Sequence, residues 1–154
     1  MTPAHLLALA INPALSLLPE RMTSDPARAM LIAIALQESS LKHRAQIGGP
    51  ARGLWQFEQI GVSGVQHHHT TAEYSVGADR TFLYRPESIY SAIEHNDVLA
   101  ACYARLLLWQ CPDRLPSGRM DQDEGWRQYM KMWRPGKPHP SRWADNWRAA
   151  WAGL

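Results

Sequence analysis

The sequence predicts a mainly α-helical single domain over residues 1–154, with little or no β-structure. Three observations point there. The run Ala29-Met30-Leu31-Ile32-Ala33-Ile34-Ala35-Leu36 is apolar nearly all round, as a central buried helix would be. Trp143, Trp147 and Trp151 recur every four residues, which puts three indoles on one helical face. Between Val98 and Trp109 the apolar residues again fall at helical spacing, and strand signals are sparse throughout. A chain of 154 residues is long enough to bury one real core, and it shows no repeats, linkers or low-complexity tracts that would divide it.

The elements follow in order. Pro3 to Leu18 reads as a helix broken near Asn12-Pro13, because proline removes a helical donor. Ser24 or Asp25 can cap the next helix, with Pro26 at its first position, and that helix runs to about Ser39. His43 to Arg52 is a basic loop containing Gly-Gly-Pro, and Gly53 to Val65 is ambiguous between extended chain and short helix. His67 to Arg80 reads as polar and irregular. Pro86 opens a helix to about His95, and Asn96 or Asp97 caps another that ends at Trp109. Pro112, Pro116 and Gly118 make a loop. Asp123 to Trp133 is a helix stopped by Pro135-Gly136, and Ser141 caps the last helix.

Composition narrows the function classes. Hydrophobic residues at 45% and charged residues at 19% fit an ordered globular protein. Sixteen basic against fourteen acidic side chains leave +2, too little to argue for nucleic acid, and no basic helix is present. No stretch is long enough to span a membrane, so no membrane insertion is expected. The apolar N-terminus lacks a preceding Lys or Arg and is interrupted by Pro13, so no signal peptide is read there. Cys102 and Cys111 fall on roughly opposite sides of one predicted helix, which predicts free thiols and folding in a reducing compartment. His67-His68-His69 has no carboxylate or cysteine at ligand spacing, so a solvated loop is preferred to a metal site. Seven tryptophans could hold sugars or fill a core, and the core reading is taken for most, including the Trp143, Trp147, Trp151 stripe. No metal or cofactor is expected.

Glu38 is the leading candidate for chemistry. It sits at the end of the apolar helix and is followed by Ser39-Ser40. Burial and the negative end of a helix both disfavour an ionised carboxylate, pushing its pKa toward the range of a general acid. Cleaving a glycosidic bond requires such a proton donor at the leaving oxygen. The competing reading is an exposed polar residue at a frayed helix end.

Glu38-Ser39, followed by Gly53-Leu54-Trp55-Gln56, resembles the paired signature of soluble lytic transglycosylases and goose-type lysozymes, where a Glu-Ser at a helix end precedes a Gly-Leu-Met-Gln-like element. Ala92–Asn96 and Ala100–Leu107 resemble the family's long-helix segment, and Trp133–Pro138 is similar to phage-encoded members. Tyr129 falls where the family carries a helical active-site tyrosine. The likeness touches about two-thirds of the chain. It departs at Trp55, which stands for the usual Met, and around Tyr129, where the family's Ala-Tyr-Asn pattern is absent.

The resemblance implies a lysozyme-like fold and cleavage of the bond between N-acetylmuramic acid and N-acetylglucosamine in peptidoglycan. Glu38 would be acid and then base, in non-hydrolytic lytic transglycosylation. Gln56 would bond the sugar or orient Glu38, Ser39 would orient Glu38, and Gly53 would allow close approach of the glycan. Trp55 would be either a sugar platform or a core residue. Glu58, twenty positions after Glu38, is a candidate second carboxylate for a hydrolytic lysozyme, or else a solvated side chain. Arg134, Lys137 and Arg142 could meet wall carboxylates or remain in water. A phage or prophage product is implied: an endolysin dependent on a holin, held in the host cytoplasm before release, or a virion protein working beside other virion proteins. Either would act on the periplasmic cell wall. The rival class is a non-enzymatic phage structural or glycan-binding protein.

Overall fold

A computed structural model describes residues 1–154, and α-helix dominates it. Helix α1 (Pro3–Leu6) is capped by Thr2, whose hydroxyl accepts the His5 N–H at 3.2 Å. It continues through a π-helical turn, Leu7–Ile11, into α2 (Asn12–Ser16). The expected break at Asn12-Pro13 is therefore absent. The wider turn, in which the Asn12 N–H reaches the Leu7 carbonyl, admits the proline ring without ending the helix.

After a 3-10 turn at Glu20–Met22 comes α3 (Asp25–Ser39). Ser24 is its cap, accepting the Ala27 N–H at 3.2 Å. Residues Ala29 to Ala35 of α3 are all buried, so this helix is sheathed on every side. It ends at Ser40, whose φ of 52° is left-handed and whose N–H returns to the Leu36 carbonyl.

The loop that follows contains no sheet, only isolated bridges pairing Ala45 with Arg52 and Arg52 with Phe57. Gly53 in this loop has φ 72°, and a Cβ there would lie 2.8 Å from both the Ile93 carbonyl oxygen and its Cγ2. Only glycine fits that approach. The ambiguous segment resolves into a turn and then α4 (Gln59–His67).

The segment expected to be irregular instead forms α5 (Ala72–Thr81). Its buried face is Ser75, Ala78 and Asp79, small or polar, so no apolar periodicity announces it. Tertiary hydrogen bonds replace apolar burial: the Tyr103 hydroxyl donates to Asp79 Oδ1 at 2.9 Å, and the buried Thr71 hydroxyl donates to the Val65 carbonyl at 2.7 Å.

A 3-10 turn (Pro86–Ser88) leads into α6 (Ile89–His95), and α7 (Asp97–Trp109) follows with Asn96 as its cap. Helix α8 (Gln122–Trp133) ends at left-handed Arg134. Helix α9 (Pro140–Trp151) begins one residue before the expected Ser141 cap, with Pro140 in its first position and His139 before it. Proline's fixed φ suits that position, and it displaces serine as the start signal.

One continuous apolar cluster joins α3 to α2, α7 and α9, with α9 the main neighbour of α3. Trp143, Trp147 and Trp151 are buried in it, and the Trp143 and Trp147 indoles donate to the carbonyls of Gln122 and Arg119. The tryptophan stripe is thus a packing face, as the sequence suggested. Cys102 and Cys111 are buried and unpaired, and burial pushes the Cys102 thiol up to about 12, which keeps it protonated and inert. No helix is long and apolar enough to cross a membrane.

Candidate functional site

Helix α3 delivers Glu38 to its last turn. Gln37 and Ser39 on either side are buried, while Glu38 is partly exposed. The neighbours are anchored elsewhere. Gln37 donates to the His139 carbonyl at 2.9 Å and accepts from Asn146 at 2.8 Å, tying α3 to the start and middle of α9. Ser39 turns back to the Ala35 carbonyl at 3.0 Å and accepts the Leu41 N–H, so it shapes the helix end rather than orienting Glu38.

Tyr129, ninety-one residues later on α8, donates its hydroxyl to Glu38 Oε1 at 2.7 Å. The tyrosine is 2% exposed. Its ring stacks on Trp143 at 5.3 Å with the planes 14° apart, and Trp126 tilts against it at the same separation. Two indoles thus fix the phenol that fixes the carboxyl. Glu38 Oε2 makes no protein hydrogen bond.

Electrostatics at Glu38 favour the protonated acid. Burial is the largest influence and raises the carboxyl above its ordinary range, while the Tyr129 hydrogen bond and the nearby Arg142 charge pull the other way without prevailing. Tyr129 is itself held far above a normal phenol, by burial first and then by the Glu38 charge, so it remains a donor.

Arg142, which the sequence leaves between wall carboxylates and water, is engaged within the chain. It stands at the C-terminus of α3, where Nη2 donates to the Leu36 carbonyl at 3.1 Å and to Ser40 Oγ at 2.6 Å. A cation there satisfies a helix-end carbonyl and complements the helix dipole. No spacing in the sequence links Arg142 to Leu36, 106 positions apart.

The Gly53–Gln56 element serves the fold. Trp55 is completely buried, and its indole donates to the Leu31 carbonyl at 2.9 Å, about two helical turns below Glu38. Of its two readings, platform and core, the core one describes its position. Trp133 donates to the Trp55 carbonyl at 3.0 Å, pinning this loop to the end of α8. Gln56, left-handed at φ 50°, bonds the Gly53 carbonyl at 2.8 Å through its side-chain amide and makes no hydrogen bond to Glu38. Gly53 is required by Ile93, a neighbour within the chain. Glu58 is exposed at the head of α4 and takes part in no ion pair or side-chain hydrogen bond. Of the candidate site residues read from the sequence, Tyr129 alone hydrogen-bonds the Glu38 carboxyl.

The three histidines make only local contacts. His67 bonds the Ser63 carbonyl at 2.8 Å, while His68 bonds Thr70 at 2.8 Å and stacks on His69. No group of three or more His, Cys, Asp or Glu side chains is placed to hold a metal ion. Comparisons of this chain with protein-family models, with curated proteins and with solved structures found no match.

Proposed function

We propose that the chain cleaves peptidoglycan as a lytic transglycosylase, with Glu38 as its one acid/base. The observation that carries this reading is the Tyr129–Glu38 pair: a carboxyl raised by burial, held by one neutral donor, with its second oxygen unbonded at a partly exposed position. A protonated carboxyl with a free oxygen is what departure of a sugar oxygen needs.

In this reading Oε2–H gives its proton to the bridging oxygen as the C1–O bond of the muramoyl residue breaks. The substrate's N-acetyl oxygen bonds C1 and stabilises the developing charge, so no second carboxylate is required. Glu38, now ionised, removes the C6 hydroxyl proton as that oxygen attacks C1 and releases the N-acetyl oxygen, closing a 1,6-anhydro ring. The Tyr129 hydrogen bond strengthens while Glu38 is charged, which helps the middle of the cycle. The exposed, unpaired Glu58 is not used.

The resemblance of Trp133–Pro138 to phage-encoded members supports a phage or prophage origin, as an endolysin acting with a holin or as a virion component. The test is mass spectrometry of fragments released from purified peptidoglycan. Anhydro-muramoyl ends, absent with Glu38→Gln, are the expected result. Reducing muramic acid ends would replace transglycosylation by hydrolysis. No release by the folded wild-type protein would overturn the enzymatic reading in favour of a wall-binding or virion structural role.

A further inference from the structure

Away from Glu38, a cleft of about 360 Å³ opens between the Glu20–Met22 turn, the end of α7 and the loop that follows it. Three arginines line it: Arg21, Arg105 and Arg114. None of them is among the chain's ion pairs. Asp113 also lines the cleft, but its carboxylate is taken up by Lys131 at 2.9 Å and Arg127 at 3.4 Å.

Arg105 is the unusual member. It is 2% exposed, and its one hydrogen bond runs from Nε to the Met22 carbonyl at 2.7 Å. Its guanidinium lies 5.1 Å over the Trp109 ring, and its buried Nη1 has no partner. Burial lowers Arg105 only to about 10, so it remains a cation at neutral pH. Arg21 approaches the same ring from outside, at 6.0 Å, and is steadied by the Tyr74 hydroxyl. Buried cations ordinarily have an anion, and buried N–H groups an acceptor. Here both are missing on the wall of a cleft.

We propose that this cleft binds a phosphate-type oxyanion, held by Arg21, Arg105 and Arg114 around the Trp109 face. A planar carboxylate is satisfied by a single guanidinium fork, whereas a tetrahedral phosphate offers oxygens in several directions to several forks. The anion would give Arg105 the counter-charge that the fold withholds. It can come from free phosphate or from the phosphate of a lipid headgroup. The site shares no residue with the Glu38 centre and does not depend on its chemistry.

The test is calorimetric titration of the full chain with inorganic phosphate and pyrophosphate, against chloride at matched ionic strength. Saturable binding is expected, weakened by about tenfold or more in Arg21→Gln/Arg114→Gln, since each lost charged contact removes a large part of the affinity. Both positions are exposed, so that variant should fold and decides the matter. Arg105→Met, which removes the buried charge, should abolish binding if it folds. Sedimentation with phosphatidylglycerol against phosphatidylcholine vesicles separates the sources. Capture by the anionic vesicles that the double variant loses assigns a headgroup, and phosphate binding without capture assigns the free anion. Absence of saturable binding of both anions, or equal affinity in the wild type and the double variant, overturns the proposal.

Discussion

Replacing Tyr129 by Phe isolates the hydroxyl that touches Glu38. The ring keeps its stack on Trp143 and its contact with Trp126, so the packing of α8 on α9 should survive. What disappears is one hydrogen bond of 2.7 Å to Oε1. Such a bond contributes about 1.5–3 kcal/mol to an ionised acceptor and about 0.5–1.5 kcal/mol to a neutral one. The difference, about 1–1.5 kcal/mol, favours the carboxylate, so its loss should move the Glu38 midpoint upward by about one pH unit. The direction agrees with the influences on Glu38, where Tyr129 opposes burial. Stability must follow the same sign. A carboxyl raised on folding is best tolerated at low pH, and its cost appears as pH rises through the folded midpoint. Tyr129→Phe should therefore lose more stability above that midpoint than below it. Carbon NMR of labelled glutamate carboxyls gives the midpoint without requiring turnover, and denaturant unfolding on both sides of it gives the stability. If the Phe variant leaves the midpoint unmoved or lowers it, Tyr129 does not support the ionised carboxylate, and the proposed cycle loses its main structural aid.

Glu38→Gln should be at least as stable as wild type above the Glu38 midpoint, gaining about 1.4 kcal/mol per pH unit by which folding raises that carboxyl, and equal to it below the ordinary carboxylate range. Denaturation across pH would count against this if the Gln variant were the weaker one at high pH. Gly53→Ala should cost about 2–4 kcal/mol, from a left-handed alanine and its collision with Ile93, and an unfolding midpoint within error of wild type would mean the loop has room the geometry denies. Trp55→Phe should lower stability by about 1–3 kcal/mol through the lost Leu31 bond and the space left behind, with glycan affinity unchanged. Weakened glycan binding by a Trp55→Phe protein of wild-type stability would return Trp55 to the surface of the site.

The parts of the fold legible in the sequence are those where local chemistry and burial agree. Helix α3 has a serine cap, an early proline and an apolar body, and it forms between the expected limits. Helix α7 has Asn96 and apolar spacing, and it forms likewise. Helix α5 was illegible because its buried face is Ser75, Ala78 and Asp79, and its partners lie on other elements. The site divides on the same line. Glu38 could be read from its place at the end of α3, a local fact. Arg142 could not, because its value depends on how α9 crosses the end of α3, and neither helix encodes that crossing alone. Trp55 could not be placed as core, because a Gly-Leu-Trp-Gln string does not say which way its indole turns.

A carboxyl raised by burial does not by itself mark catalysis in this chain, since the chain has two. Asp79 is also raised by burial and also accepts from a tyrosine, Tyr103. The two pairs differ in access. Asp79 is 3% exposed, and the Tyr103 hydroxyl is shared between both of its oxygens, at 2.9 and 3.2 Å. A substrate has no route to it, and the pair reads as a strut between α5 and α7. Glu38 keeps one oxygen unbonded and part of its surface open, while its tyrosine and helix end are locked by Trp126, Trp143 and Arg142. Rigid support on one side and an open oxygen on the other are what the proposed proton donor requires and a structural acid does not. That asymmetry, more than a raised pKa, sets Glu38 apart from Asp79.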